Sequence, residues 1–389
     1  MTDRPRRLVS IDVFRGMTVM GMILVNNPGD WGHVYAPLLH AAWHGWTPTD
    51  LVFPFFLFIV GTAIVLALGR RVEAGAPRGQ LVSKIVRRSA VLFALGLFLS
   101  GYPFGLFGSR TFERLLETWR IPGVLQRIAI CYLVVSLMFL FLSRRTLKLC
   151  AVVFLVGYWA LMTLVPVPGV GAPDLDSKGD HLAGYIDRAV FGNHLWISAK
   201  VYDPEGLLST VPALATTLFG VFAGLLLASG RTLEQKVLRL FVQGSLLVVL
   251  GYVWSGVLPL NKALWTSSYA VFTAGQAMCA LALCVWFFDG EGGTSSGRAS
   301  PSRQRLARPF VLYGINAITV FVGSGVLART LAGLKFGEPE RSLQKHLYST
   351  VFEPLLPPHA ASLSYAIAWI LGWYAVLWWM DRRGLVIKV

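Results

Sequence analysis

Charge is scarce in this sequence, and that scarcity excludes an ordinary soluble domain. Asp, Glu, Lys and Arg make up 14% of the 389 residues, roughly half the share of a typical soluble domain. Acid is the rarer sign, with 20 Asp and Glu against 35 Lys and Arg, giving a net charge of +15. Cysteine is rarer still. Cys131, Cys150, Cys279 and Cys284 are the four, all within apolar runs and without CxxC spacing. That pattern excludes a disulfide framework or a thiolate metal site and leaves them as packing residues. No HExxH pair is present. The first apolar run is interrupted by Asp12 and Arg15 and is followed by no small-residue cleavage site, so it reads as a retained span and not a cleaved signal peptide. No internal repeat is visible, which disfavours inverted-repeat transporter architectures.

Hydrocarbon is abundant. Hydrophobic residues make up 55% of the chain and the mean hydropathy is +0.59. Several runs reach the roughly 18–20 uncharged residues that cross a bilayer. Backbone polar groups in lipid must be satisfied within the segment, so these runs are predicted to be helices. The expected fold is an all-α, polytopic integral membrane protein of about ten spans, near 8–27, 50–69, 85–102, 121–142, 147–166, 210–229, 237–258, 266–288, 309–329 and 361–380. With both termini cytoplasmic, 22 basic residues fall on the inner side and 11 on the outer, while Arg15 and Arg127 lie inside spans. This two-to-one excess fits the positive-inside rule. The positive charge is therefore topological first and calls for no nucleic-acid partner. The chain reads as a single membrane domain over 1–389, with the lipid bilayer as its partner. Residues 167–209 form its large outer loop and the Gly/Ser-rich stretch 289–307 a flexible cytoplasmic linker. A second outer loop, 330–360, has room for a short surface helix.

Ionisable groups within spans are costly in lipid and point to function. Asp12 and Arg15 are three apart on one helix face, either an ion pair anchoring the helix end or a phosphate ligand at a cytoplasmic mouth. Arg127, beside Gln126 in "RIPGVLQRIAICY", must face the bundle interior and needs a carboxylate or phosphate partner; Asp50 is the acid at comparable depth. Asn26 and Asn27 close the first span. They serve the turn "NNPGDW" or orient a polar substrate at the membrane edge. In "LLHAAWHGWTPTDLVFPFF", His40 and His44 lie four apart, ahead of Asp50 and downstream of His33. Two histidines and a carboxylate can ligate a metal, but Pro37 and Gly45 break the regular helix that such spacing requires, and no metal is expected. A structural histidine is a second reading. A general base is the third, with Asp50 fixing the tautomer of His40. Trp43 and Trp46 suit the aromatic belt.

The segments "SIDVFRGMTVMGMILVNN" and "HAAWHGWTPTDLVFPFFLFIVG" resemble the start of the membrane domain of the heparan-α-glucosaminide N-acetyltransferase family. They look still more like its bacterial NagX-like members. The likeness continues in order through "RIPGVLQRIAICY", "GYIDRAVFGNHLW", "VYDPEGLLSTVPA", "NKALWTSSYAVFTAG" and "YGINAITVFVG". The resemblance implies transfer of acetyl from cytosolic acetyl-CoA to the amine of a glucosamine-type sugar on the far side of the membrane. It implies His40 as the catalytic histidine, Asp50 and Asn26 as active-site partners, and Asn316 as a motif residue. It also implies a bacterial inner-membrane location, with 167–209 periplasmic, and a possible homodimer. Asn27, Arg127, Gln126 and Asn316 are expected to bind substrate or hold the polar network, and Arg15, Arg87 and Arg88 to meet the CoA phosphates. Ser324 stands where the animal sequences have a histidine, so the acceptor need not be a heparan end. Two rival readings remain: an amino-sugar transporter without chemistry, and an O-acyltransferase of surface glycans. CoA binding separates the transporter from both enzymes.

Overall fold

A computed structural model describes residues 8–107, 111–290, 301–336 and 341–387. Arg4, Arg6, Arg7, Arg110, Arg298 and Lys388, counted above for topology, lie outside these residues, as does most of the proposed linker. The helices are α1 Val9–Asn26, α2 Val52–Ile64, α3 Arg70–Glu73, α4 Arg78–Gly101 and α5 Phe112–Thr118. They continue with α6 Val124–Phe141, α7 Arg144–Leu164, α8 Leu182–Phe191, α9 Thr210–Ala228 and α10 Leu233–Trp254. The last five are α11 Ser267–Cys284, α12 Pro301–Ile315, α13 Ala317–Gly333, α14 Leu343–Leu347 and α15 Pro358–Arg382. A two-residue hairpin, β1 Lys335–Phe336 against β2 Arg341–Ser342, is the one sheet among the described residues.

Among the described residues eight helical segments are long and apolar enough to cross a membrane, or nine when α12 and α13 are taken as one bent span. The fold is thus an all-α polytopic membrane protein. The expected third span falls on α4, whose first half carries Arg78, Lys84, Arg87 and Arg88, which keeps it out of that count. The expected span 309–329 is not one straight helix: α12 and α13 meet at Asn316 with a bend of 69°. The linker also needs correcting. Residues 301–307 are helical, the first turns of α12, and Asp289 is fixed, its carboxylate accepting from the Val9 and Ser10 amides at 2.9 and 3.0 Å. Those amides begin α1 and have no partner within the helix, so the carboxylate caps α1 from the end of the α11 span.

The centre of the bundle is α9, with 67% of its apolar stretch buried, while only 17% of that of α10 is covered. The remainder of α10 presents side chains such as Leu246, Tyr252 and Val253 outward, as a lipid-facing helix requires. Helices α2 and α9 meet through glycine. A Cβ on Gly61 would lie 1.9 Å from the Thr217 carbonyl oxygen, and one on Gly220 would lie 1.9 Å from that of Phe58. Small residues allow this backbone approach, and packing is what holds helices together where lipid removes the hydrophobic drive.

Candidate active site

The segment between α1 and α2 is short 3₁₀ turns, Ala36–Leu38 and Pro48–Leu51, joined by extended chain. Pro37 and the turn at Gly45 (φ +95°) prevent a continuous helix there. The second turn closes on itself: the Thr47 amide donates to Asp50 Oδ2 at 3.0 Å, and the Asp50 amide to the Thr47 carbonyl at 2.9 Å. The Ala41 amide donates to the same Oδ2 at 3.0 Å, and Tyr269 of α11 donates its hydroxyl to the Asp50 carbonyl at 2.6 Å. Asp50 is 1% exposed. Its other carboxylate oxygen lies 2.6 Å from Nδ1 of His40, whose side chain is half exposed. A carboxylate only accepts, so Nδ1 carries the proton and Nε2 keeps its lone pair. That is the tautomer a general base needs.

His44 does not join His40. Its Nε2 lies 2.9 Å from Asp176 and its Nδ1 3.2 Å from the Asn261 amide nitrogen, so the two histidines serve different carboxylates. The Gly45 amide donates to the Leu260 carbonyl at 2.8 Å, docking the histidine segment onto the loop between α10 and α11. That loop delivers Lys262, whose Nζ is 2.9 Å from His40 Nδ1, 3.2 Å from Nε2 and 3.5 Å from Asp50 Oδ1. Burial lowers the Lys262 ammonium pKa below its ordinary value, partly offset by Asp50 and Glu205. Sequence reasoning missed this residue. It is one of nine lysines and lies 222 positions from His40.

The other expected residues fall into separate places. Asn26, Asn27 and Gln126 line one cavity of about 290 Å³ with Arg120, Ser324 and Arg329. Gln126 is 3% exposed and its Nε2 has no partner. Arg120 is fixed by Asp203 and Glu205, which raise its pKa against the opposing effect of burial. Arg127 does not pair with Asp50. It donates to the Gly206 carbonyl and the Ser209 hydroxyl and lies 5.2 Å over the Trp265 ring, while its Nε and Nη1 stay unpartnered. Asp50 is already saturated by the turn and His40, which explains the failed pairing. Asn316 sits at the α12–α13 break, Nδ2 donating to the Leu312 carbonyl at 3.0 Å and Oδ1 unpartnered.

At the opposite end of α1, Arg15 lies 3.4 Å from Asp12 and donates to the Gly314 carbonyl at 3.2 Å. That carbonyl is one that the break in α12 leaves without a helical donor. Arg15 also lines a cavity of about 1620 Å³ with Arg70, Arg144, Lys236 and Arg303. Arg87 and Arg88 are not among its lining residues, and Arg88 lies 4.9 Å over the Tyr132 ring. Among the described residues no three His, Cys, Asp or Glu side chains converge as a metal would need.

The outer loop 167–209 forms a built cap. Trp43 donates to the Leu175 carbonyl at 2.8 Å, so it pins the histidine segment to this loop and is not simply a lipid-facing belt residue. Buried Asp187 accepts from the Asp203 and Leu207 amides, and its carboxyl is raised to about 6 by burial.

A family model described as "Heparan-alpha-glucosaminide N-acetyltransferase, catalytic" matches residues 7–254. The human protein named heparan-alpha-glucosaminide N-acetyltransferase is 29% identical over 426 aligned positions, covering 96% of this chain and 60% of that protein. The mouse protein of the same name is 29% identical over 424, with the same coverage. The chain therefore spans about 60% of the length of the curated relatives it matches.

Proposed function

The chain belongs to the heparan-alpha-glucosaminide N-acetyltransferase family, and from that premise we propose that it moves acetyl across a bacterial inner membrane. The donor is acetyl-CoA on the cytoplasmic side and the acceptor the amine of a glucosamine-type sugar on the periplasmic side. The observation that carries this reading is the His40–Asp50 pair. The carboxylate is buried, held by two backbone amides, and 2.6 Å from Nδ1 of a half-exposed imidazole.

In the reaction the acceptor nitrogen attacks the acetyl carbonyl carbon, and its proton passes to His40 Nε2. The tetrahedral intermediate collapses, the carbon–sulfur bond breaks, and the proton returns from His40 to the CoA sulfur. Positioned acid–base groups supply typically 10²–10⁴-fold. In a ping-pong variant, Nε2 itself takes the acetyl group and passes it on. Asn26, with Gln126 in the same cavity, holds the sugar or donates to the developing oxyanion. Arg15 and the other cations of the large cavity suit the phosphates of CoA. Ser324 lines the acceptor cavity where animal members have a histidine, which favours a free amino sugar or cell-wall fragment over a heparan end.

The test uses purified protein, acetyl-labelled acetyl-CoA and glucosamine, with CoA release and labelled N-acetylglucosamine followed together. The native chain is expected to form labelled product and His40→Ala to lose it. Absence of both CoA release and CoA binding in the native chain would sink the reading and bring the transporter forward.

A further inference from the structure

Lys262 is a close neighbour of His40 that neither the sequence reading nor the proposed reaction uses. Its Nζ lies within 3.2 Å of both ring nitrogens and 3.5 Å from the carboxylate that orients the ring. It cannot donate to Nδ1, because that nitrogen spends its proton on Asp50. At 3.2 Å it can donate to the Nε2 lone pair, and with or without that bond it brings positive charge to the ring. The approach is built by the fold: the Gly45 amide on the Leu260 carbonyl and Asn261 on His44 clamp the two loops together at the two residues that precede the lysine.

We infer that Lys262 is a positioning residue for the base: its ammonium offsets the Asp50 carboxylate, so that His40 remains a neutral, Nδ1-protonated imidazole able to take a proton at Nε2. Asp50 alone would bind the imidazolium, because an opposite charge favours the charged form of its neighbour. A base that is already protonated cannot accept the proton of the attacking amine. A like charge against the ring reverses that bias. The other charged groups nearby do not substitute for it. His44 is committed to Asp176 and Asn261, and Glu205, which favours the Lys262 ammonium, is itself bound to Arg120. Thr47 and Thr49, the remaining polar side chains of the turn, are uncharged. Burial disfavours the Lys262 ammonium, and the Asp50 and Glu205 carboxylates are what favour it at this position.

This inference rests on the acetyltransferase reading for its purpose, but its test does not require turnover. Diethyl pyrocarbonate modifies the neutral imidazole, so the rate of His40 carbethoxylation against pH, read by peptide mass spectrometry, reports the protonation of that one ring. The native chain is compared with Lys262→Met, Lys262→Gln and Lys262→Arg, each checked for monodispersity, so that one misfolded variant leaves another to read. Removing the cation is expected to move the His40 midpoint up by about one to three pH units, the range over which a neighbouring charge shifts a titrating group. Lys262→Arg is expected to restore most of the native value. The acid limb of acetyl transfer should move the same way, with activity recovered at higher pH. A midpoint unchanged in both Met and Gln variants overturns the inference. So does a pH-independent loss of transfer, which would place Lys262 on the acetyl oxygen instead. If the midpoint moves while no variant and not even the native chain transfers acetyl, the inference holds and the acetyltransferase reading fails.

Discussion

Asp50 illustrates how much one side chain can be asked to do. It closes a turn, receives the Ala41 amide and orients His40, and replacing it with asparagine separates these duties. The amide oxygen of Asp50→Asn can still accept from the backbone, but its NH₂ would face Nδ1. The ring would then hold its proton on Nε2 and lose the base. Transfer is expected to fall by about 10²–10⁴-fold at neutral pH, with the melting temperature and elution profile close to native. A variant that keeps more than a tenth of native kcat would show that the tautomer does not matter. This pair was legible in sequence because ten residues separate its members, and one local turn brings them together. Lys262 was not: its segment "NKALWTSSYAVFTAG" carries part of the resemblance, but nothing in it gives the lysine a role, and only tertiary docking of two loops sets it on the ring. Arg127 was half legible. Its burial follows from its place in an apolar run, but the pairing with Asp50 required knowing that this carboxylate is already saturated.

Elements show the same division. Span positions followed from hydropathy, whereas the 69° bend at Asn316 was missed because residues 309–329, from the second half of α12 into α13, read as one apolar run. The outer cap was legible only as a polar stretch, yet it contains α8, whose start depends on one protonation state. His181 is fully buried; Nδ1 accepts from the Gly184 amide at 2.9 Å and Nε2 donates to the Lys178 carbonyl at 3.1 Å. Burial pushes its pKa down to about 4. The unfolded chain therefore binds a proton between roughly pH 6.5 and 4 that the folded cap refuses. The stabilisation is complete above pH 6.5 and is lost as the pH falls towards 4. Asp187 works in the opposite sense: its carboxyl, raised to about 6, costs stability as it ionises between roughly pH 4 and 6. The comparison that isolates the histidine is native against His181→Asn, which can still cap but does not titrate. Amide exchange over 182–191, corrected for intrinsic rates, is expected to accelerate between pH 7 and pH 5 in the native chain and much less in the variant. Equal acceleration in both would remove His181 as the cause.

For the molecule as a whole, the arrangement along α1 suits the proposed transmembrane transfer. This helix places Arg15 in the large cavity, which Asp12, Glu73, Glu234 and Asp289 also line, and Asn26 in the small polar one, eleven residues apart and so roughly 16 Å along the axis. A donor held by its phosphates at one end and an acceptor held at the other suit such a path only if the two ends face different compartments. Charge supports that orientation. The helix ends beside the large cavity carry Arg70, Arg71, Arg144, Arg145 and Lys148, which the positive-inside rule assigns to the cytoplasm, while the histidine segment packs against the cap 167–209. Single cysteines decide it. Ala172 lies exposed in the cap and Ala74 lies exposed between α3 and α4. The native thiols all sit in helices, with Cys131 and Cys284 buried, so they provide a low background for labelling. In intact spheroplasts a membrane-impermeant maleimide is expected to label Ala172→Cys but not Ala74→Cys, and to label both once the membrane is opened. The reverse pattern would put His40 and Asp50 in the cytoplasm beside the acetyl-CoA pool. No group would then need to cross the bilayer, and the two cavities at opposite ends of α1 would need a different explanation.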